Sequence, residues 1–168
     1  IPIFEYENYE ADDVLATLAR QAAEQQQPVV AVTSDKDLLQ IIGPYVAIFN
    51  PAKEIYIIDS DIAPDFLAEL KGRKLINVED YFGVKAEEVG DLLALWGDAS
   101  DGIPGVPGIG EKTARNLIQQ YGHLDHLLEH LDEIKNPRIR DSLKNNLEAL
   151  RLSRELVQVE DKLPLQLD

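Results

Sequence analysis

Apolar residues at Ala11, Val14, Leu15 and Leu18 follow the i, i+3, i+4, i+7 spacing of one helix face, which predicts an amphipathic helix from Glu10 to about Gln25. Pro28 then precedes a continuous apolar run, Val29-Val30-Ala31-Val32-Thr33. Without alternation, such a run predicts a short strand buried on both faces and parallel to its neighbour. Helix followed by strand is half of a βαβ unit. Tyr45 to Phe49 and Ile55 to Ile58 are two β-rich runs joined by Asn50-Pro51-Ala52-Lys53-Glu54, which predicts a hairpin. Helices are predicted over Asp61 to Leu70, Val78 to Phe82 and Ala86 to Trp96, the last stopping before Gly97. A Gly/Pro-dense stretch follows, Gly102 to Gly110. Beyond it the pattern is helical, over 111–121, 123–131 and 137–156. The chain thus reads as an α/β part to about residue 80, then an all-helical part.

Composition narrows this picture. A length of 168 residues suits one domain, or one with a small appendage, and 45% apolar residues can build a core. No apolar run approaches the ~20 residues needed to span a bilayer, and no signal-peptide pattern opens the chain. The absence of Cys excludes disulfides and thiolate chemistry. Three His, all within residues 123–130, give little for a His-rich metal site. There is no Met, and the chain begins Ile1-Pro2-Ile3, so we expect a fragment or processed product with sequence preceding it. The net charge of −15 argues against a simple basic nucleic-acid binder. The charge is uneven, however. Residues 1–110 hold 20 acids against 7 bases, and residues 111–168 hold 11 against 9. Lys135, Arg138, Arg140, Lys144, Arg151 and Arg154 form a locally basic stretch that either follows duplex DNA or is a solvated helix face.

The acids gather at element ends. Glu10-Ala11-Asp12-Asp13 opens the first helix, where carboxylates also complement the helix dipole. Asp35-Lys36-Asp37 follows the Val29–Thr33 strand, and ligands of open α/β sheets collect beyond the carboxyl ends of strands. Asp37 there also suits the first turn of a helix. Asp98-Ala99-Ser100-Asp101 precedes the Gly/Pro loop, where Asp is ordinary turn chemistry. Together the seven carboxylates Glu10, Asp12, Asp13, Asp35, Asp37, Asp98 and Asp101 form an oxygen-only donor set. Such sets hold Mg²⁺ or Mn²⁺, and two such ions a few ångströms apart serve in-line displacement at phosphorus.

The second informative feature runs from Pro104 to Ala114. Gly108 and Gly110 flank Ile109 and lead directly into a helix. Glycine permits close backbone approach, and a helix start offers unpaired N–H groups, so this hairpin can hold a phosphate with little side-chain charge. Lys112 and Arg115 could add charge, and Ile109 would pack inward. A plain interhelical turn is the alternative. A nucleotide phosphate loop is not supported, because no strand precedes and the GxxxxGK[ST] pattern is absent. Gly-Ile-Gly between two helices fits a helix-hairpin-helix that tracks the DNA backbone without reading bases.

Glu10-Ala11-Asp12-Asp13, the Thr33–Gln40 segment and the Gly97–Ala114 segment, in this order and spacing, resemble the 5′-nuclease (flap endonuclease) superfamily. The resemblance is greatest to the 5′→3′ exonuclease domain of bacterial DNA polymerase I, and it covers essentially the whole chain. It implies a partial PIN-like (Rossmann-like) parallel sheet with helices over 1–96, incomplete at its N-terminus. A helix-hairpin-helix (H3TH-type) DNA-binding subdomain over 97–168 would follow. It implies that Glu10, Asp12, Asp13, Asp35, Asp37, Asp98 and Asp101 are catalytic metal ligands for Mg²⁺ or Mn²⁺, two ions in all. It places Gly105, Val106, Gly108, Ile109, Gly110, Lys112, Thr113 and Arg115 on downstream duplex DNA, with K⁺ at the hairpin carbonyls. The implied reaction is hydrolysis of DNA near a 5′ end, at a flap or nick, in replication and repair. The implied setting is a monomer in the bacterial cytoplasm at the nucleoid, with no membrane partner and a polymerase domain following. The resemblance also implies an Asp-bearing strand and a basic arch before Ile1, so we expect the 168 residues alone to cleave flaps poorly. Gly102 stands where many relatives carry Asn.

Two other functions compete. A haloacid-dehalogenase-like phosphatase would use Asp35 as nucleophile, leaving the Gly-Ile-Gly hairpin without a role. A non-catalytic helix-hairpin-helix module would use the acids only as caps. A non-polymerase exonuclease paralogue is not separable on sequence from a polymerase-attached domain. Trp96, spaced with Leu92 and Leu93, is expected in the core, and His123, His126 and His130 on a solvated face.

Overall fold

The structure is a computed structural model that describes residues 3–165. It divides into two compact units, Ile1–Ala86 with Val159–Asp168, and Glu87–Gln158.

The first unit is α/β. Helix α1 (Ala11–Glu24) leads to strand β1 (Val29–Val32), a 3₁₀ stretch (Asp37–Ile41), β2 (Val46–Asn50) and β3 (Ile55–Ile58). Helix α2 (Pro64–Glu69), β4 (Leu75–Asn77) and α3 (Val78–Phe82) follow. The sheet order is β1-β2-β3-β4. β1 and β2 are parallel, with Val29 opposite Val46, and β3 and β4 are parallel, with Tyr56 opposite Leu75. The expected hairpin forms the antiparallel pair between them, with Ile48 opposite Ile57. Ala47, Ala63, Phe66 and Leu70 form one core cluster, packed by Tyr45, Tyr56 and Leu75.

Three expectations change in this unit. β1 is not buried on both faces, since Val30 is 38% and Val32 65% exposed. The reason is position: among the described residues β1 pairs only with β2, at the sheet edge. The buried side of α1 is Val14, Ala16, Thr17, Ala19 and Ala22, with Leu15 and Leu18 only half-buried and Ala11 exposed. β4 had no sequence signal, because three residues are too few to show a period. Helix α2 starts at Pro64 rather than Asp61, with proline in its first turn, where the missing N–H costs nothing.

Residues 159–165 belong to this unit and run along one face of α1. Glu160 N–H donates to Asp13 (2.9 Å) and Leu163 N–H to the buried Thr17 hydroxyl (3.2 Å). Arg20 Nε donates to the Asp161 carbonyl (2.7 Å) and Gln21 Nε2 to that of Leu165 (2.6 Å).

The second unit is all-helical: α4 (Val89–Trp96), α5 (Glu111–Tyr121), α6 (Leu124–Glu129), α7 (Pro137–Asn145) and α8 (Leu147–Val157). Leu92, Leu93, Ala94 and Leu95 of α4 are fully buried, the signature of a helix enclosed on all sides. α8 and α5 pack against it. The single helix expected over 137–156 is two. Asn146 breaks it, because its side-chain amide donates to the Ser142 carbonyl (2.7 Å) and ends α7 there. The sequence-based boundary at residues 96 and 97 separates the α/β pattern from the Gly/Pro loop, whereas packing groups α4 with the helices that enclose it. Among the described residues no helix is long and apolar enough to cross a membrane.

Candidate functional site

In the first unit the acids stand where short polar turns end regular elements. Glu10 is the N-cap of α1, and its N–H donates to Asp13 Oδ2 (3.3 Å). Asp13 Oδ1 accepts the Glu160 N–H, so both oxygens of Asp13 receive backbone donors. Glu10 is exposed, and Asp12 and Asp13 are half-buried. Beyond β1, Thr33 Oγ1 accepts the Asp35 N–H (3.0 Å), and Asp35 Oδ1 accepts the Asp37 N–H (3.0 Å). Each short side chain thereby caps the next turn. Leu38 and Leu39, each 1% exposed, anchor the 3₁₀ stretch and fix Asp35 and Asp37 at the carboxyl end of β1.

Asn50, which the sequence placed in the β2–β3 turn, is buried there. It is 5% exposed at the end of β2, and its Oδ1 accepts the N–H groups of Ala52 (3.0 Å) and Lys53 (3.1 Å). Its amide nitrogen lies 3.4 Å from the Tyr81 hydroxyl, to which Lys53 Nζ also donates (3.1 Å). Asn50 thus shapes the β2–β3 turn. The available signal was an amide, a good turn former, directly before Pro51.

In the second unit the loop after α4 closes on itself. Asp98 N–H donates to the Ile103 carbonyl (2.9 Å) and Ile103 N–H to that of Asp98 (2.8 Å). Asp98 Oδ1 accepts the Ser100 N–H (2.9 Å). One carboxylate oxygen of Asp98 and one of Asp101 lie within 4.8 Å of each other. Two nearby carboxylates with no imidazole or thiol between them fit a hard divalent cation.

The glycine hairpin follows. Gly97 and Gly105 both have left-handed backbones, φ +80° and +62°. A Cβ on Gly105 would fall 2.6 Å from the Gly97 nitrogen and the Trp96 oxygen, so the two chain segments meet backbone to backbone. Val106 and Ile109 are buried, each 3% exposed, and hold the turn from inside, as expected of Ile109. Gly110 differs from the other two. It has an extended backbone, φ −86° and ψ 179°, that any residue adopts, and a Cβ there would meet nothing within 4 Å. Neither conformation nor internal packing requires glycine at this position. Gly110 is the N-cap of α5 and has no side chain to take the N–H groups of the first turn, which leaves that helix start without a side-chain cap. Lys112 is exposed beside it, and Thr113 is half-buried. Arg115 Nη2 is bonded to Glu111 at 2.5 Å, so its charge is already matched.

Half of the basic stretch is likewise used internally. Lys144 pairs with Asp132 (2.5 Å) and Arg140 with Asp141 (3.5 Å). Arg154 binds both oxygens of Asp125 (2.7 and 3.1 Å) and reaches Asp91 (3.1 Å). The Arg154 hydrogen bond holds the Asp125 carboxyl below its ordinary range, and Asp125 in turn raises Arg154. Asp91 is a residue that sequence reasoning passed over. It is 8% exposed and its Oδ2 accepts the Leu124 N–H at the start of α6 (2.8 Å). A lone acid in an otherwise apolar helix was the signal. Among the described residues Lys135, Arg138 and Arg151 have no carboxylate partner. His126 and His130 bind the carbonyls of Tyr121 and His126 (2.8 Å each).

Two family models match. Residues 1–66 match the N-terminal resolvase-like domain of 5′-3′ exonuclease, and residues 84–168 match its C-terminal SAM fold. The chain is 40% identical over 168 residues to DNA polymerase I of Rhizobium leguminosarum, covering all of the chain and 15% of that protein. It is 44% identical over 164 residues to the thermostable DNA polymerase I of Thermus thermophilus, covering 98% of the chain and 18% of the relative. Its fold is similar to that of T5 5′-exonuclease bound to divalent metal ions (zinc), with a TM-score of 0.72 at 23% identity over 95% of this chain and 54% of that one. A T5 D15 flap endonuclease pseudo-enzyme-product complex with DNA and metal ions gives 0.68 at 23% identity over 95% of this chain and 53% of that one. With both halves matched in order, the chain belongs to the 5′-3′ exonuclease family.

Proposed function

We propose that the chain is the metal-dependent nuclease part of a 5′→3′ exonuclease and flap endonuclease, acting on DNA at a 5′ flap or nick. The observation that carries this reading is one loop, residues 97–110. It joins an oxygen-only carboxylate pair, Asp98 and Asp101, to a glycine hairpin at an open helix N-terminus. Carboxylates and an anion site so close in sequence serve one substrate class, the phosphodiester.

The residues divide the task. Glu10, Asp12, Asp13, Asp35, Asp37, Asp98 and Asp101 would hold Mg²⁺ or Mn²⁺, two ions by the family's chemistry. Divalent cations there supply positive charge to the phosphate oxygens and lower the pKa of water. Asp13 contributes mainly by fixing the N-terminus of α1, since its oxygens already accept two N–H groups. Gly108 and Gly110 present backbone to a phosphate of the duplex, with Lys112 adding one charge, while Val106 and Ile109 support the turn from the interior. K⁺ at the hairpin carbonyls and a polymerase as working partner belong to the same reading. The relatives named DNA polymerase I support it, although the chain spans only 15% and 18% of the first two. Membership of the exonuclease family sets aside the phosphatase.

The test combines calorimetric Mn²⁺ binding with single-turnover cleavage of a 5′-labelled flap duplex, the chain in excess. Mn²⁺ binding weakened by Asp35→Ala and by Asp98→Ala, and any cleavage abolished by EDTA, are the expected results. Mn²⁺ binding indifferent to both substitutions, or cleavage that persists in EDTA, would overturn the reading.

A further inference from the structure

The hairpin is held from outside its own sequence. Ser153 of α8 is fully buried, one of four buried polar or charged side chains among the described residues. Its Oγ accepts the Gly105 N–H at 3.0 Å across 48 residues of sequence. Ser142 of α7 donates its hydroxyl to the Pro107 carbonyl at 2.5 Å, across 35 residues. Between them, Val106 N–H donates to the Leu95 carbonyl at 3.0 Å. Three consecutive residues of the hairpin are therefore tied, one each, to α8, α4 and α7. Close contact of Gly105 with the Trp96–Gly97 backbone closes the remaining direction. The tied segment ends at Pro107, and directly after it come Gly108 and Gly110, where a Cβ would meet open space.

From this geometry we infer that Ser153 and Ser142 are positioning residues for the duplex. Their hydroxyls fix Gly105 and Pro107 so that the backbone of 108–110 and the start of α5 face a phosphate in the right orientation. The inference rests on the hairpin being the duplex-gripping element. A backbone donor acts only where the chain holds it, because it has no rotamers with which to adapt. Its affinity is therefore sensitive to small shifts, as preorganised recognition generally is. Neither serine touches DNA in this account, and neither is charged, so their effect travels through the hairpin alone.

The test is duplex binding by fluorescence anisotropy in EDTA for Ser142→Ala, Ser142→Thr, Ser153→Ala and Gly110→Ser, each with a thermal unfolding curve and a Mn²⁺ titration. Ser142 is only half-buried, so its alanine variant is expected to fold normally and to bind duplex roughly five-fold more weakly, the worth of one hydrogen bond. Threonine at 142 keeps the hydroxyl and restores binding, and Mn²⁺ affinity stays unchanged throughout. Ser153→Ala strands a buried N–H and is expected to lower both affinity and Tm. If Gly110→Ser weakens duplex binding while Ser142→Ala does not, or if threonine fails to rescue, the serines are structural only and the inference is overturned. If Gly110→Ser also leaves binding unchanged, the duplex-gripping role of the hairpin itself falls.

Discussion

Under the proposed reading, the α/β unit offers a phosphate only side chains, whereas the hairpin of the helical unit offers mainly backbone. In the first, Glu10, Asp12, Asp35 and Asp37 stand exposed or half-buried at the ends of α1 and β1, on turns built from their own neighbours. In the second, the carboxylates Asp98 and Asp101 lie close together before the hairpin, and half of the bases are turned on carboxylates. Arg154, Lys144, Arg140 and Arg115 each face a carboxylate, and what stays open at the hairpin is backbone. The difference teaches how a chain of net charge −15 can belong to a DNA-processing family. Acids grouped for cations inflate the negative count, and a backbone grip needs few lysines or arginines to offset it.

That comparison can be broken or sharpened in order of effect. The largest is Gly105→Ala. Its Cβ would overlap backbone at 2.6 Å in a left-handed conformation, so a loss of about 3 kcal/mol or more in thermal unfolding is expected. A loss below about 1 kcal/mol would mean that the close approach to Gly97 is not what holds the hairpin. Next is Arg154→Ala, which removes the cation beside the buried Asp91 and is expected to cost about 2 kcal/mol by chemical denaturation. An unchanged midpoint would show that Arg154 is not what stabilises the buried Asp91. Gly110→Ser is smaller in stability and sharper in meaning. Serine is a good N-cap and its Cβ meets open space, so stability should hold within about 0.5 kcal/mol or rise. Duplex affinity should nonetheless fall about tenfold, since the side chain occupies the place of a phosphate. The smallest effect is on pH. Asp125 has its folded pKa depressed by Arg154, so the stability it contributes is present above the ordinary aspartate pKa and is lost as pH falls through the lower folded value. Acid unfolding curves of the parent and of Arg154→Ala should therefore draw closer as pH falls below about 4.

Much of this architecture was legible in the sequence. The hairpin of β2 and β3 followed from Asn50-Pro51, and α4 from its apolar run, because each signal is local. The seven acids and the Gly-Ile-Gly turn stood out in the sequence as candidates, because their residue types and spacing have few other uses in combination. What was not legible depends on partners far along the chain. The exposure of Val30 and Val32 depends on which strands flank β1. The break at Asn146 depends on a side chain choosing a backbone carbonyl over solvent. Asp13 looked like one more acid until Glu160, 147 residues later, donated to it. The pairing of Arg154 with Asp91 and Asp125 likewise joins α8 to α4 and α6, and no periodicity announces it.

The division of labour is tested most directly by one cross-comparison, Mn²⁺ affinity and EDTA duplex affinity measured on the same two variants, Asp98→Ala and Gly110→Ser. The account predicts that Asp98→Ala loses at least about tenfold in Mn²⁺ affinity and keeps its duplex binding, while Gly110→Ser does the reverse. Both affinities falling together in each variant, or Mn²⁺ binding surviving Asp98→Ala, would contradict it.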